Sequence, residues 1–299
     1  MKIKNVAIVG GTHGNENTGV FLIEKLKGSM PTYKNLNLKY LLANLLAIER
    51  SKRFISHDLN RAFGMKDLQN SEKLEYEFNR AKAINDELGP KGNSKTDFII
   101  DLHTTTSNMG ITAIFCNINT INLQLAAYLK SKLDNFFIYY MPPKSEGDDQ
   151  PYLDSIAPYS LAIEVGPVPN GILRYDVIDM TEKTIKATLE FITLYNNGLL
   201  PKMPESIEIF KYYKTVFFPT DINGNITAYI HKNLQDKDYH VLKKDDPIFY
   251  TIKDHTIYNE EVEPTYPVFI NEAAYYYKNT AFSLAKKVSM PIQQDQNNS

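Results

Sequence analysis

Val6-Ala7-Ile8-Val9-Gly10-Gly11-Thr12-His13-Gly14-Asn15-Glu16 runs from four apolar residues straight into a polar, glycine-rich cluster. Two later stretches repeat the pattern. Phe98-Ile99-Ile100 leads into Asp101-Leu102-His103-Thr104-Thr105, and Leu161-Ala162-Ile163 leads into Glu164-Val165-Gly166-Pro167. Short apolar runs of this kind read as buried strands of a mainly parallel sheet, and open α/β sheets bind ligands beyond the carboxyl ends of their strands. His13, Glu16, His103 and Glu164 are therefore expected at one rim.

Working outward, residues 5–28 read as strand, loop and helix, with Val20, Ile23 and Leu26 on the helical face. A strand is expected at 38–43. A helix is expected at 68–87, with Leu74, Phe78, Ala81 and Ile84 on its apolar face and Gly89-Pro90 as its stop. Further strands are expected at 97–103, 111–116, 136–140 and 159–165, and helices at 120–133 and 174–195. Residues 141–151 form a breaker-rich loop. This alternation predicts an α/β layer sandwich. Pro201 and Pro204 mark the expected boundary between an α/β domain at 1–204 and a smaller β-rich domain at 205–299. In the latter, strand candidates fall at 207–213, 216–218, 226–230, 247–252 and 266–270, with a turn signal at Asn223-Gly224.

Charge is well mixed, with 33 basic and 35 acidic residues among 299 and a formal net charge of -2. That balance argues against a nucleic-acid groove or a membrane-binding surface. The chain enters a strand almost at once, with no apolar leader, and no run approaches the length of a membrane span. The single cysteine, Cys116, sits in an apolar strand and suits the reducing cytoplasm, as a small core residue rather than a nucleophile.

Zinc favours imidazole and carboxylate ligands, and a catalytic site keeps three protein ligands with one open position. His13 and Glu16, three apart before a helix, can serve one ion, and His103 can complete the set. Two such clusters after apolar strands favour a metal over ordinary polar strand ends. Asp101, on the same side of the strand as His103, either orients a histidine ring or caps a loop. Glu164 interrupts an apolar strand and reads as a general base, the alternative being a structural salt bridge. In Asp58-Leu59-Asn60-Arg61, Arg61 and Asn60 suit a carboxylate and Arg53 an oxyanion, against the alternative of surface charges. The tyrosines of Tyr275-Tyr276-Tyr277-Lys278 read as packing, and His57, His231, His240 and His255 as surface or turn residues.

These motifs together resemble the aspartoacylase family within the zinc carboxypeptidase-like and succinylglutamate desuccinylase group. His231-Lys232-Asn233-Leu234-Gln235-Asp236 and the segment from Tyr266 to Tyr276 carry the likeness into the β-rich end. The resemblance implies a carboxypeptidase-like three-layer α/β domain with a largely parallel sheet, followed by a β domain that narrows the mouth of the site. It implies one zinc ion per subunit on His13, Glu16 and His103, and Glu164 as general base and acid. Arg53 would polarise the acyl carbonyl, Asn60 and Arg61 would hold the substrate α-carboxylate, and Tyr275 would add a hydroxyl. The implied reaction is hydrolysis of an N-acyl amino acid, N-acetyl-L-aspartate in the best-known members, by a homodimer. The alternatives are an aromatic N-acetyl or N-succinyl substrate, removal of a C-terminal peptide residue, or a non-catalytic metal- or metabolite-binding protein. One position departs from the pattern: aspartate-selective members carry an arginine ten residues before the catalytic glutamate, where this chain has Asp154. A shifted loop would bring in Lys144 or Lys278 instead.

Overall fold

Strand periodicity decides which side chains meet. In β1 (Asn5–Gly10), Val6 and Ile8 face one side of the sheet while Ala7 and Val9 face the other. The first face packs on α1 (Asn17–Ser29), α5 (Thr120–Lys132) and α6 (Tyr175–Asn197) through residues such as Leu22, Leu125 and Phe191. The second face packs on α4 (Tyr76–Leu88) through Phe78, Ala81, Ile84 and Leu88. Helices on both faces of a central sheet make the three layers expected from the sequence. The computed structural model describes residues 2–29, 33–143 and 149–293.

The remaining α/β elements are β2 (Asn37–Leu42), α2 (Leu45–Glu49), α3 (Met65–Leu68), β3 (Phe98–Thr104), β4 (Gly110–Phe115), β5 (Phe136–Tyr140) and β6 (Tyr159–Gly166). After residue 205 come β7 (Ser206–Phe217), β8 (Ala228–Ile230), β9 (Pro247–Thr251), β10 (Thr256–Tyr258), β11 (Tyr266–Val268) and β12 (Thr280–Pro291). The main sheet has the order β11-β12-β7-β5-β4-β6-β3-β1-β2, and β10-β9-β8 form a separate three-stranded sheet. From β2 to β7 all pairings are parallel except the antiparallel β4–β6 pair. The β-rich end thus contributes β7, β12 and β11 to the edge of the central sheet as well as a sheet of its own.

One expectation fails, and one strand was not foreseen. The helix expected at 68–87 starts only at Tyr76, after a turn, and Leu74 is exposed rather than packed. The Asn70 side chain accepts a hydrogen bond from the Glu72 amide at 2.8 Å, a local alternative to helix of the kind Asn favours. β12 carried no expectation, because its Ala-Phe-Ser-Leu-Ala-Lys-Lys run lacks a β-branched signature. It forms a strand because pairing with β7 extends along its whole length.

Candidate metal centre and active site

Alternation along β3 sends Phe98, Ile100 and Leu102 into the core under α1 and α6. Ile99, Asp101 and His103 therefore point to the opposite face. In β6, Leu161, Ile163 and Val165 share that same core, leaving Ala162 and Glu164 on the face of His103. The register then sets His103 directly beside Glu164. Two parallel strands with an ordinary pleat thus deliver an imidazole and a carboxylate side by side.

His13 and Glu16 arrive on the loop between β1 and α1. That loop lies against α2 so closely that a Cβ on Gly14 would meet the Ala47 carbonyl carbon at 2.1 Å. Only glycine fits there. The Gly14 amide donates to the Arg53 carbonyl at 3.2 Å, tying the loop to the segment that carries Arg53 and Asp58. Buried Glu77 holds that segment from behind, accepting from the Ile55, Ser56 and His57 amides at 2.6, 3.0 and 3.2 Å.

Both rings turn Nδ1 toward the Glu16 carboxylate, His13 at 2.6 Å and His103 at 3.1 Å. The ligand atoms of His13, Glu16 and His103 lie within 4.8 Å of one another, and all three residues are buried. Each Nε2 has its own carboxylate: Asp58 Oδ1 lies 3.1 Å from that of His13, and Asp101 Oδ2 lies 2.9 Å from that of His103. Asp101 therefore faces its histidine rather than capping a loop, and the Thr12 hydroxyl donates to its other oxygen at 2.7 Å. Arg53 donates to Glu16 at 3.2 Å and approaches Asp58 at 3.5 Å, and its buried Nε has no partner among the described residues.

The donor set fits a divalent cation. Two imidazoles and a carboxylate converge, and each ring's second nitrogen is engaged by an acid that fixes its tautomer. Besides Glu16 in the cluster, the buried carboxylates Asp58, Asp101, Glu164, Asp154 and Glu272 lie around it, against two guanidinium groups, Arg53 and Arg61. Burial alone would raise the Glu16 carboxyl, but the His13 charge and the hydrogen bond from His103 hold it well below the usual range. Burial would lower His103, but Asp101 and Glu16 together outweigh it through charge and hydrogen bonds, so the ring is pushed well above an ordinary histidine. Glu164 goes the other way. Burial raises it to about 8, against the pull of His103 and with Glu16 and Glu272 adding repulsion. A cation held by His13, Glu16 and His103 would draw it back toward neutrality.

His13, Glu16, Arg53, His103 and Glu164 line one cavity with Asn60, Arg61, Tyr152, Asp154, Glu272 and Tyr275. Asp58 caps a 3-10 turn at Leu59–Arg61, accepting from the Asn60 amide at 3.0 Å. Asn60 Oδ1 accepts from the Leu153 amide at 2.9 Å, which leaves its amide nitrogen as the donor it has to offer. The Arg61 guanidinium lies over the Tyr152 ring, 4.8 Å from the centroid. Lys278 is exposed, with its ammonium over the Tyr277 ring, and takes no part in the cavity wall; Lys144 lies outside the described residues. His57 stacks on Phe78, and His231, His240 and His255 lie away from the cavity.

Two residues in contact with this machinery had no role in the sequence reading. Asp58 belongs to a quoted motif, but its partner His13 lies 45 residues away. Glu272 accepts from the Thr105 hydroxyl, the Thr106 amide (2.7 Å) and, through its other oxygen, the Ala274 amide (2.8 Å). It thereby fastens the 3-10 turn Ala273–Lys278, which carries Tyr275, to the end of β3. A lone acid preceding two alanines was the available signal, and it is a weak one.

A family model described as the succinylglutamate desuccinylase/aspartoacylase catalytic domain matches residues 2–192, and one described as the AstE/AspA barrel-sandwich hybrid domain matches residues 205–287. This chain belongs to the succinylglutamate desuccinylase/aspartoacylase family. A probable aspartoacylase of Trichodesmium erythraeum is 46% identical to this family member over 97% of its length and 99% of the relative's. An N-acyl-aromatic-L-amino acid amidohydrolase of Danio rerio is 35% identical over 96% of the chain and 94% of the relative. The crystal structure of murine aminoacylase 3 superimposes with a TM-score of 0.92 at 32% identity, covering 98% of both chains.

Proposed function

We propose that this chain is a zinc-dependent amidohydrolase that splits an N-acyl-L-amino acid into a carboxylate and a free amino acid. The observation that carries the reading is the convergence of His13, Glu16 and His103, with Glu164 beside them in register. The names of its relatives support N-acyl amino acid hydrolysis, and N-acetyl-L-aspartate is the first substrate to test.

His13, Glu16 and His103 would hold the ion. When bound, it acts as a Lewis acid toward water and the acyl carbonyl. Glu164 takes a proton from the attacking water and delivers it to the nitrogen of the leaving amine. Arg53, with its unpartnered Nε, donates to the acyl oxygen as negative charge develops there. The Arg61 fork and the Asn60 amide receive the substrate α-carboxylate, and Tyr275 adds its hydroxyl. The segment 205–299, as a second domain, lends Glu272 and Tyr275 to the mouth of the site. A homodimer in the cytoplasm completes the reading.

The test is a hydrolysis panel on metal-loaded and chelated protein, with Arg61→Ala beside wild type. Turnover should vanish with chelator and return with zinc. Arg61→Ala should lose its preference for free acids over amide-capped analogues. Turnover unaffected by full metal removal would overturn the zinc reading, and an unchanged preference would remove Arg61 from carboxylate binding.

A further inference from the structure

Asp154 is a buried carboxyl that this mechanism does not use. It sits in the 3-10 turn Leu153–Ile156 and forms part of the cavity wall, 3% exposed, with Oδ2 accepting from the Ser160 hydroxyl at 2.8 Å. The same cavity is also lined by Ile114, Cys116, Met141, Ala162 and Phe269. Ile114 and Ala162 are register partners across β4 and β6, two residues before Glu164 on the same face. An apolar surface with one acid set into it therefore adjoins the reacting centre.

With the α-carboxylate on Asn60 and Arg61, as the proposed function has it, this wall is the one open to the amino-acid side chain. Leu153, next to Asp154, donates its amide to Asn60, one of the two residues assigned to the α-carboxylate. The side chain and the α-carboxylate branch from the same carbon, so a substrate held by Asn60 and Arg61 brings its side chain to the part of the cavity that the Leu153–Ile156 turn lines. Arg53 and Arg61 are the two Arg or Lys side chains of the described cavity wall. In the proposed mechanism Arg53, paired with Glu16 and Asp58, serves the acyl oxygen, and Arg61, over the Tyr152 ring, serves the α-carboxylate. A second substrate carboxylate finds no third cation among the described residues, and it meets an acid.

We propose that Asp154 excludes anionic side chains, so that the site selects N-acyl amino acids with uncharged side chains. The inference rests on the deacylase reading and refines its substrate class. A buried acid rejects a like charge while tolerating a neutral isostere, so the comparison that isolates it is N-acetyl-L-asparagine against N-acetyl-L-aspartate.

The experiment measures kcat/KM for both compounds, and for N-acetyl-L-leucine, on zinc-loaded wild type, Asp154→Asn and Asp154→Ser. Calorimetric binding of free L-asparagine and L-aspartate to the same proteins gives a readout independent of turnover. Wild type should favour the asparagine compound by roughly tenfold or more, and each variant should narrow that ratio by a rise in the aspartate arm. Wild-type preference for the aspartate compound overturns the proposal, with or without folded variants. So does a wild-type asparagine preference that neither folded variant changes. Failure to hydrolyse any of the three compounds would instead overturn the deacylase reading. Calorimetry would then still report whether Asp154 discriminates between the two amino acids.

Discussion

His103 on β3 and Glu164 on β6 are direct register partners of adjacent parallel strands, so one ligand candidate and the proposed proton carrier share a rigid frame. Glu164→Gln keeps the size and removes the carboxylate that accepts and returns the proton. Turnover should fall by about 10²- to 10⁴-fold, the range general acid–base catalysis supplies, while zinc content by elemental analysis stays near one per chain. A variant with wild-type kcat would take Glu164 out of the reaction, and one without metal would make it part of the ion's binding site.

Asp58 and Asp101 each engage the far nitrogen of a histidine, at 3.1 and 2.9 Å. Replacing either acid with asparagine leaves the three donors in place but loosens the tautomer and the ring orientation. Zinc affinity, read by competition with a chromogenic chelator, should drop about 10- to 100-fold in each variant. Unchanged affinity in both would mean that the rings are held by packing alone.

Legibility in the sequence followed the range of the forces involved. His13, Glu16, His103 and Glu164 were readable because each follows an apolar run, and strand ends of a parallel sheet share a rim. The pairing of Asp58 with His13 was not readable, since it depends on Gly14 seating its loop against α2 and on Glu77 clamping the 53–58 segment from 20 residues away. The turn before α4 was missed for a local reason, the Asn70 side chain competing with the helix. β12 was missed for a distant one: its strand character comes from β7, about 70 residues earlier, rather than from its own composition.

Asp238 offers a stability prediction outside the reacting centre. It is 3% exposed, its Oδ1 accepts from the Ile270 amide at 3.0 Å, and its Oδ2 has no hydrogen-bond partner among the described residues. Burial pushes its carboxyl up from 3.8 to about 7. The folded state thus holds this proton more tightly than the unfolded chain does. The stability this confers is fully present below pH 4 and is lost as pH rises through 7. A rise of that size corresponds to a loss on the order of 4 kcal/mol by pH 8. Asp238→Asn keeps the acceptor for Ile270 and cannot ionise, so its stability relative to wild type should grow from pH 5 to pH 8. Urea denaturation of both proteins at pH 5, 6.5 and 8 measures the difference, in which the other titrating groups cancel. A difference that stays flat across that range would mean that Asp238 is already charged in the folded protein at pH 5, with water or a cation reaching Oδ2.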